Sequence, residues 1–151
     1  DGADEFDPQF QLIKGGGAAL LREKIVAQES SSMVVVADKR KKVETLGAFP
    51  LPIEITPFAY NSTIRKISSI LDCRVNCRMS GDNPVITDNG NYIADAHCGP
   101  KITDPKSTES EILKVAGVVQ VGLFNDMCDV IILAEDGGIS TLVRQDGRIV
   151  L

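Results

Sequence analysis

Residues 1–24 decide how this chain folds, and they read DGADEFDPQFQLIKGGGAALLREK. The stretch combines an acidic turn around Gly2, a lysine that leads into three glycines, and a helical pattern that starts directly after them. Consecutive glycines that open a helix let backbone N–H groups converge on an anion, and the helix dipole adds positive potential there. We therefore predict a strand–loop–helix unit with a ligand at the carboxyl end of a parallel strand.

One carboxylate on the helix predicted over residues 17–29 is a candidate for chemistry. Glu23 has Ala19 four positions before it and Ala27 four positions after it, so all three share one helix face. The two small side chains leave room for a ligand beside the carboxylate. Taken singly, the acids could be a solvated turn, the glycines a flexible loop and Glu23 a surface charge. Their combination in one short unit predicts an active site.

Six motifs along the chain resemble, in order, ribose-5-phosphate isomerase type A. They read DGADE, LIKGGGAALLREKI, ADKRKKVETLGAFPLPIEITPFA, VITDNGN, GVVQVGLF and DGGISTLV. The resemblance runs through all 151 residues and implies a Rossmann-like α/β domain with a smaller lid-like domain. The family carries a sizeable segment before DGADE, with a T-G-S-T phosphate-binding loop, and this sequence lacks that segment. Because the sequence starts with Asp rather than Met, we expect a fragment or a processed product.

The resemblance implies a reaction of the non-oxidative pentose phosphate pathway, in which ribose 5-phosphate becomes ribulose 5-phosphate through an enediolate, without a metal or nucleotide cofactor. Glu23 then occupies the position of the base that carries a proton between C1 and C2. Lys14 is the expected oxyanion partner, whereas Asp1 and Asp4 hold hydroxyls and assist ring opening. The substrate-binding positions that the resemblance implies are Asp1, Gly2, Ala3, Asp4, Lys14, Gly15, Gly16, Gly17 and Lys41. It also implies a cytoplasmic homo-oligomer, either dimeric or tetrameric.

Two alternatives from other functional classes stay open. The same architecture serves sugar-phosphate sensing domains of transcription regulators, which bind without turnover, although a sensor needs no base such as Glu23. The chain could also be an inactive piece or an interaction module, because the phosphate loop is missing. Loss of that loop removes charge-assisted hydrogen bonds worth about 1.5–3 kcal/mol each, and an exposed sheet edge invites aggregation. We favour the isomerase.

Charge and hydropathy argue against several classes of partner. A net charge of −5 and a pI near 4.9 argue against nucleic-acid binding, which usually needs a basic surface. No apolar run approaches the roughly 20 residues that a membrane-spanning helix needs, and no signal-peptide pattern opens the sequence. Four basic residues at 39–42 follow an apolar strand, and such a cluster can attract a phosphate. A solvated loop explains each of the four equally well.

The four cysteines suggest neither a disulfide nor a metal site. Cys73 and Cys77 lie on one predicted strand, roughly 13 Å apart, which is too far to bond to each other or to share a zinc ion. Cys98 follows His97, the single histidine, and Cys128 lies in another segment, so no ligand spacing emerges. We predict reduced core thiols in a cytosolic protein. His97 is far in sequence from the acidic and glycine-rich residues, and we expect it to have a packing or surface role.

The order of the remaining elements predicts one sheet domain that is interrupted by a second module. The apolar run at 33–37 predicts a parallel strand covered on both faces, and the runs at 129–134 and 139–143 are expected to rejoin its sheet. The side chains of the first helix that should face this sheet are Leu20, Leu21, Ile25 and Val26. The predicted domains are residues 1–50 with 125–151 for the Rossmann-like catalytic domain, and 51–124 for the lid.

The lid is predicted to be a compact α+β unit. The Phe-Pro-Leu-Pro stretch at 49–52 indicates a crossing into the unit, followed by a strand at 53–55. Thr56 and Pro57 should cap a helix that ends near Leu71.

The second half of the lid should contain a hairpin. Asn-Gly at 89–90 predicts a tight turn between strands at 85–87 and 92–94, because both turn residues can adopt positive φ. A helix capped by Asp104 and a strand over 118–124 complete a β-α-β-β-α-β order, which predicts a ferredoxin-like lid.

Overall fold

The structure is a computed structural model that describes residues 1–148. The strands are β1 (Glu5–Phe6), β2 (Leu12–Ile13), β3 (Val34–Asp38), β4 (Leu51–Ile55), β5 (Arg74–Cys77), β6 (Met79–Ser80), β7 (Asn83–Pro84), β8 (Tyr92–His97), β9 (Val118–Val121), β10 (Leu123–Phe124), β11 (Val130–Glu135) and β12 (Gly138–Val143). The helices are α1 (Leu20–Glu29), α2 (Tyr60–Leu71) and α3 (Pro105–Leu113), and a short 3₁₀ turn spans Lys39–Lys41.

One sheet contains the parallel strand pair, in the order β12-β11-β3. β11 runs parallel to β3, with Val130 opposite Val34, and antiparallel to β12. Asp1 continues this sheet beyond β3, because its backbone nitrogen donates to the Val34 carbonyl and its carbonyl accepts from the Val36 N–H, each at 2.9 Å. Asp1 thus pairs as the end of a strand would, and the prediction that β11 and β12 rejoin the sheet of β3 is confirmed.

Helix α1 buries a different face from the one that its apolar pattern predicts. Its buried side chains are Leu20, Lys24 and Ala27. Ile25 and Val26 are 51% and 64% exposed, so the prediction that both face the sheet is wrong. This orientation buries the Lys24 side chain, whose ammonium has polar partners in the protein interior. Val36 of β3 is 58% exposed as well, so within residues 1–148 this strand is not covered on both faces.

The inserted module is a four-stranded antiparallel sheet in the order β5-β8-β4-β9. Its chain order is β4-α2-β5-β8-α3-β9, with the short β6–β7 hairpin inserted between β5 and β8. Ile53 of β4, Ile67 of α2 and Ile112 of α3 are fully buried in one apolar cluster, so both helices pack on the same face of the sheet. This is a ferredoxin-like unit. The predicted fold class, a Rossmann-like sheet with an inserted ferredoxin-like unit, is confirmed.

Two element boundaries in the first half of the module differ from the prediction. Strand β4 begins at Leu51 and includes Pro52, so this stretch is sheet and not a crossing. Pro52 has no N–H to donate, but its carbonyl accepts a hydrogen bond from Gly122 N–H at 2.8 Å, just beyond the end of β9. Helix α2 begins at Tyr60 and not at the predicted Thr56–Pro57 cap, because Ala59 adopts φ 53° and turns the chain just before the helix.

The Asn-Gly turn closes a loop, but only one of the two hairpin strands predicted around it forms, because residues 92–94 lie in β8. Residues 85–87 form no strand, although Thr87 N–H donates to the Asn91 carbonyl at 2.8 Å. The polar side chains of this loop turn inward instead. Thr87, Asn89 and Asn91 all donate to Oε1 of Glu54, at 2.8, 3.0 and 2.9 Å. Glu54 is fully buried on β4, and the loop supplies donors to one oxygen of its carboxylate, whereas Oε2 has no hydrogen-bond partner within residues 1–148.

Gly122 breaks the strand that was predicted over residues 118–124. Its N–H binds the Pro52 carbonyl, and its own carbonyl accepts from Lys14 N–H at 2.9 Å. A Cβ at this position would lie 2.3 Å from the Lys14 carbonyl oxygen, so only glycine allows the approach. The chain therefore leaves the inserted sheet after β9 and joins a second small sheet as β10, in the order β1-β2-β10.

Candidate active site

The small β1-β2-β10 sheet brings the two ends of the 1–24 stretch together. β1 and β2 are antiparallel, with Glu5 opposite Ile13, and β10 pairs with the other edge of β2. Asp4 N–H also donates to the Ile13 carbonyl at 2.8 Å. Because Lys14 directly follows β2, this register places it beside the acidic turn at residues 1–4.

Lys14 is the centre of the site. Its ammonium lies 3.2 Å from Oδ2 of Asp1 and 3.2 Å from Oε1 of Glu23, and it also donates to the Gly2 carbonyl. The side chain is only 2% exposed, whereas the Asp1 and Glu23 side chains are 45% and 27% exposed. The ammonium also lies over the aromatic ring of Phe124, 5.4 Å from the ring centroid, as in a cation–π contact. A buried cation is thus held between two carboxylates that still face solvent.

The three glycines form a turn before α1 and not its first residues. Ala18 N–H donates to the Gly15 carbonyl at 3.0 Å, and the helix begins only at Leu20, three residues later than predicted. Gly16 N–H donates to Oδ2 of Asp4 at 2.8 Å. A Cβ on Gly16 would lie 2.6 Å from that carboxylate, so glycine is needed for the contact. One N–H of the expected anion-binding loop is therefore occupied by an acid of the protein itself.

A cavity of about 220 Å³ opens at this point. It is lined by Gly2, Ala3, Asp4, Lys14, Gly15, Gly16, Gly17 and Glu23. A second cavity, of about 190 Å³, has Asp1 and Glu23 among its lining residues. Glu23 thus lies on the wall of both cavities. The predicted site residues within the 1–24 stretch all meet around Lys14 and Glu23. Lys41, the remaining predicted site residue, lies outside these two cavities.

Lys41 lies in a third cavity, of about 380 Å³, which shares Asp4 with the Lys14 cavity. The two residues before it in the basic run are engaged elsewhere: Lys39 pairs with Asp136, and Arg40 pairs with Asp38 at 2.8 Å. Hydrogen bonds from Arg40 hold the pKa of Asp38 at about 2. Among residues 1–148, Lys41 has no ion-pair partner, so it is the cation of Lys39–Lys41 that remains available to an external anion.

Two cations near the site were not predicted. Lys24 is 2% exposed, and its ammonium binds Glu109 Oε1 at 2.8 Å, Gln120 Oε1 at 2.9 Å and the Val121 carbonyl at 2.7 Å. Burial lowers the pKa of Lys24, and the hydrogen bond and charge of Glu109 offset part of this effect. Arg78, the second cation, reaches the glycine turn from the inserted module. In the sequence both look like solvated charges on a helix and a strand, and no local pattern marks them.

The other candidate groups lie outside this arrangement. His97 donates a hydrogen bond from Nε2 to Oδ1 of Asn76 on the inserted sheet at 2.7 Å, and it lines none of the three cavities described above. Across residues 1–148, no three His, Cys, Asp or Glu side chains lie close enough to hold a metal ion. In the same part of the chain, no helix has both the length and the apolar character needed to cross a membrane.

The fold and the site define an α/β protein with a lysine–carboxylate centre beside a glycine turn. The family described as ribose 5-phosphate isomerase A (phosphoriboisomerase A) matches residues 1–138. Ribose-5-phosphate isomerase A of Cereibacter sphaeroides is 48% identical over 155 residues, and that of Roseobacter denitrificans is 47% identical over 156 residues. These alignments cover 98% and 99% of this chain and 59% of each relative.

Solved structures give the same result. Ribose 5-phosphate isomerase from Plasmodium falciparum superposes with a TM-score of 0.91 at 36% identity, covering 96% of this chain and 64% of that one. A D-ribose-5-phosphate isomerase in complex with phospho-erythronic acid has a TM-score of 0.90 at 43% identity, covering 95% of this chain and 63% of that one. The chain belongs to the ribose 5-phosphate isomerase A family, and it spans about three-fifths of the length of the curated relatives it matches.

Proposed function

We propose that this chain carries the base and the sugar-binding loop of a ribose-5-phosphate isomerase, which interconverts ribose 5-phosphate and ribulose 5-phosphate. The observation that carries the proposal is the Lys14 ammonium, held 3.2 Å from the Glu23 carboxylate at the edge of a small polar cavity. An aldose–ketose isomerisation needs a base and a cation within reach of adjacent carbon and oxygen atoms. Membership of the isomerase A family supports the same assignment.

The proposed steps use groups that line the cavity. Glu23 removes the proton from C2 of the open-chain sugar and returns it to C1, while the hydroxyl proton on O2 is lost and O1 gains one. Lys14 stabilises the negative charge on the enediolate oxygens. Asp1 and Asp4 bind hydroxyls and assist ring opening. The sequence of steps moves two protons and is balanced without a redox partner.

The rest of the substrate is proposed to lie along the glycine turn and Lys41. The residues that we propose as substrate-binding are Asp1, Gly2, Ala3, Asp4, Lys14, Gly15, Gly16, Gly17 and Lys41. Lys41 contacts the phosphorylated sugar, since it is a cation without an ion pair among residues 1–148 and its cavity shares Asp4 with the site. A similar protein is solved in complex with phospho-erythronic acid. That acid places a carboxylate charge at one end of a phosphorylated sugar chain, as an enediolate would.

We propose that residues 1–50 and 125–151, of which 149–151 lie outside the described residues, form the catalytic domain and that 51–124 form the lid. The family resemblance further suggests a cytoplasmic homo-oligomer, a dimer or a tetramer, and a reaction without a cofactor.

The test is formation of ribulose 5-phosphate from ribose 5-phosphate by the 151-residue chain, by its Glu23→Gln variant and by Glu29→Gln as a matched control. Glu29 is exposed at the end of the same helix, so the same substitution there should leave the rate unchanged. We expect Glu23→Gln to lower kcat at least about 100-fold and to retain binding of phospho-erythronic acid. Binding without turnover by the unmodified chain would favour the sugar-phosphate sensor. Neither binding nor turnover would identify the chain as an inactive piece.

A further inference from the structure

Arg78 connects the inserted module to the glycine turn of the site. It follows β5, and its guanidinium makes a two-point contact with Asp95 of β8, through Nε at 2.9 Å and Nη2 at 2.7 Å. The remaining nitrogen, Nη1, donates to the Gly15 carbonyl at 3.1 Å and to the Gly16 carbonyl at 2.9 Å. Asp95 therefore fixes the plane of the guanidinium, and Nη1 holds two successive carbonyls of the turn.

This contact determines where two backbone N–H groups point. In a trans peptide unit, the carbonyl and the N–H point in opposite directions. Because the Gly15 and Gly16 carbonyls both point to Arg78, the N–H groups of Gly16 and Gly17 point to the opposite side. Gly16 N–H does so, since it reaches Asp4 at 2.8 Å. Within residues 1–148, Gly17 N–H has no backbone or side-chain acceptor, and Gly17 lines the Lys14 cavity.

Glycine peptides need such a restraint more than others do. A run of three glycines has wide conformational freedom, and an N–H donor contributes to a reaction only when it is already aimed at the developing charge. The restraint comes from a residue more than 60 positions away in the sequence. Arg78 is well suited to it because its planar fork can bind a carboxylate and two carbonyls at once, which an ammonium cannot do with the same fixed geometry.

We propose that Arg78 is a positioning residue for the isomerisation, held by Asp95, which orients Gly16 N–H toward Asp4 and presents Gly17 N–H to an oxygen of the substrate. This inference rests on the proposed function for the identity of the substrate. Arg78 itself does not touch the reacting atoms. The inserted module therefore takes part in the site through one side chain that binds the backbone of the loop.

The kinetic test compares Arg78→Lys with Arg74→Lys. Arg74 lies on β5, the strand that ends directly before Arg78, is exposed and makes no side-chain hydrogen bond within residues 1–148, so its variant is the matched control. We expect Arg78→Lys to lower kcat about 10- to 100-fold, the range for a misplaced catalytic geometry, with a much smaller change in KM. Inhibition by phospho-erythronic acid should weaken in parallel with kcat. A rise in KM alone, or no change relative to Arg74→Lys, would overturn the proposal.

A second readout does not depend on activity. In ¹⁵N-labelled protein, the amide resonances and hydrogen-exchange rates of Gly16 and Gly17 should change in Arg78→Lys and remain unchanged in Arg74→Lys. If Arg78→Lys fails to fold by circular dichroism, Asp95→Asn replaces it, because this variant keeps Arg78 but loosens its plane. Unchanged glycine amides in a folded variant would overturn the inference. An inactive unmodified chain would contradict the proposed function, and the amide readout would still decide the role of Arg78.

Discussion

Lys14 Nζ lies 3.2 Å from Oε1 of Glu23, although the glycine turn separates the two residues in the chain. The contact joins the end of β2 to the first turn of α1, and Asp1 completes it from the other side at the same distance. Two carboxylates share one buried cation, which is the feature on which the proposed chemistry depends.

Removal of this cation should affect catalysis more than folding. We expect Lys14→Met to lower kcat/KM at least about 100-fold, the usual cost of losing one group that stabilises an oxyanion. The apolar stem of methionine still packs against Phe124, so circular dichroism should show a folded protein. A folded Lys14→Met variant with wild-type kcat/KM would exclude Lys14 as the oxyanion partner.

Lys41 should contribute to binding and not to the chemical step. We expect Lys41→Ala to weaken binding of phospho-erythronic acid about 10-fold, because a charge-assisted hydrogen bond is lost, and to leave kcat close to that of the unmodified chain. Lys42→Ala is the control, since Lys42 is the exposed neighbour. Calorimetric titration at two salt concentrations measures the effect, and equal affinity in both variants would remove Lys41 from the site.

Lys24 should matter for stability because its buried ammonium joins α1 to the inserted module. Lys24→Met leaves the Glu109 carboxylate, which is only 20% exposed, without its cation. Breaking such a pair costs about 3 kcal/mol in the free energy of unfolding, measured by urea denaturation. The double variant Lys24→Met/Glu109→Gln should recover part of this loss. If the loss of stability in the double variant equals the sum of the losses in Lys24→Met and Glu109→Gln, the ion pair contributes nothing.

The contribution of Asp7 to the free energy of unfolding should change with pH in the direction opposite to that of most acidic side chains. Burial raises its pKa, and the N–H groups of Gln11 and Gln9, which bind Oδ1 at 2.9 Å, offset part of this effect. Because the folded-state pKa is the higher one, ionisation of Asp7 lowers stability at neutral pH. This penalty disappears as the pH falls through the folded-state pKa toward 3.8.

Asp7→Asn keeps the Oδ1 acceptor but carries no charge. We therefore expect it to raise the free energy of unfolding at pH 7, with a gain that shrinks as the solution is acidified. Exposed Asp82 supplies the control variant, Asp82→Asn. A gain that is constant with pH would show that ionisation of Asp7 is not its cause.

Cys73 and Cys98 are a pair that the spacing of the cysteines did not reveal. In the antiparallel β5–β8 pair, Arg74 lies opposite His97, so Cys73, which precedes Arg74, comes close to Cys98, which follows His97. Their sulfur atoms lie 2.7 Å apart. We expect oxidised glutathione to cross-link them: the two thiols lose two protons and two electrons, and the glutathione disulfide becomes two thiols. Burial and the neighbouring Cys73 thiol raise the pKa of Cys98 to about 12, so the reaction should be slow at neutral pH.

The new bond would close a loop between residues 25 positions apart and raise the free energy of unfolding by about 3 kcal/mol. Peptide mapping by mass spectrometry identifies the bond. Cys98→Ser should abolish it and Cys77→Ser should not. A mixed disulfide with glutathione as the sole product would contradict the prediction.

The family, the fold class and most of the residues around Lys14 could be predicted from sequence, because they depend on local patterns. The glycine run, the acidic turn and the position of Glu23 lie within 24 residues, and short loops bring such residues together in few ways. Element boundaries were less predictable. Pro52 was expected to lie outside the sheet, and Gly122 was expected to lie inside a continuous strand. In each case a backbone contact with a distant residue decides the outcome.

The sequence by itself determined that a base, a cation and a glycine turn belong to one unit. Only the tertiary structure decided that Lys24 points inward while Ile25 and Val26 face solvent, and that Arg78 holds the glycine turn. Periodicity records which side chains alternate along an element, but it contains no information about the partner that an element meets. The free energy of burying a cation is set by that partner, here Glu109 for Lys24 and Asp95 for Arg78.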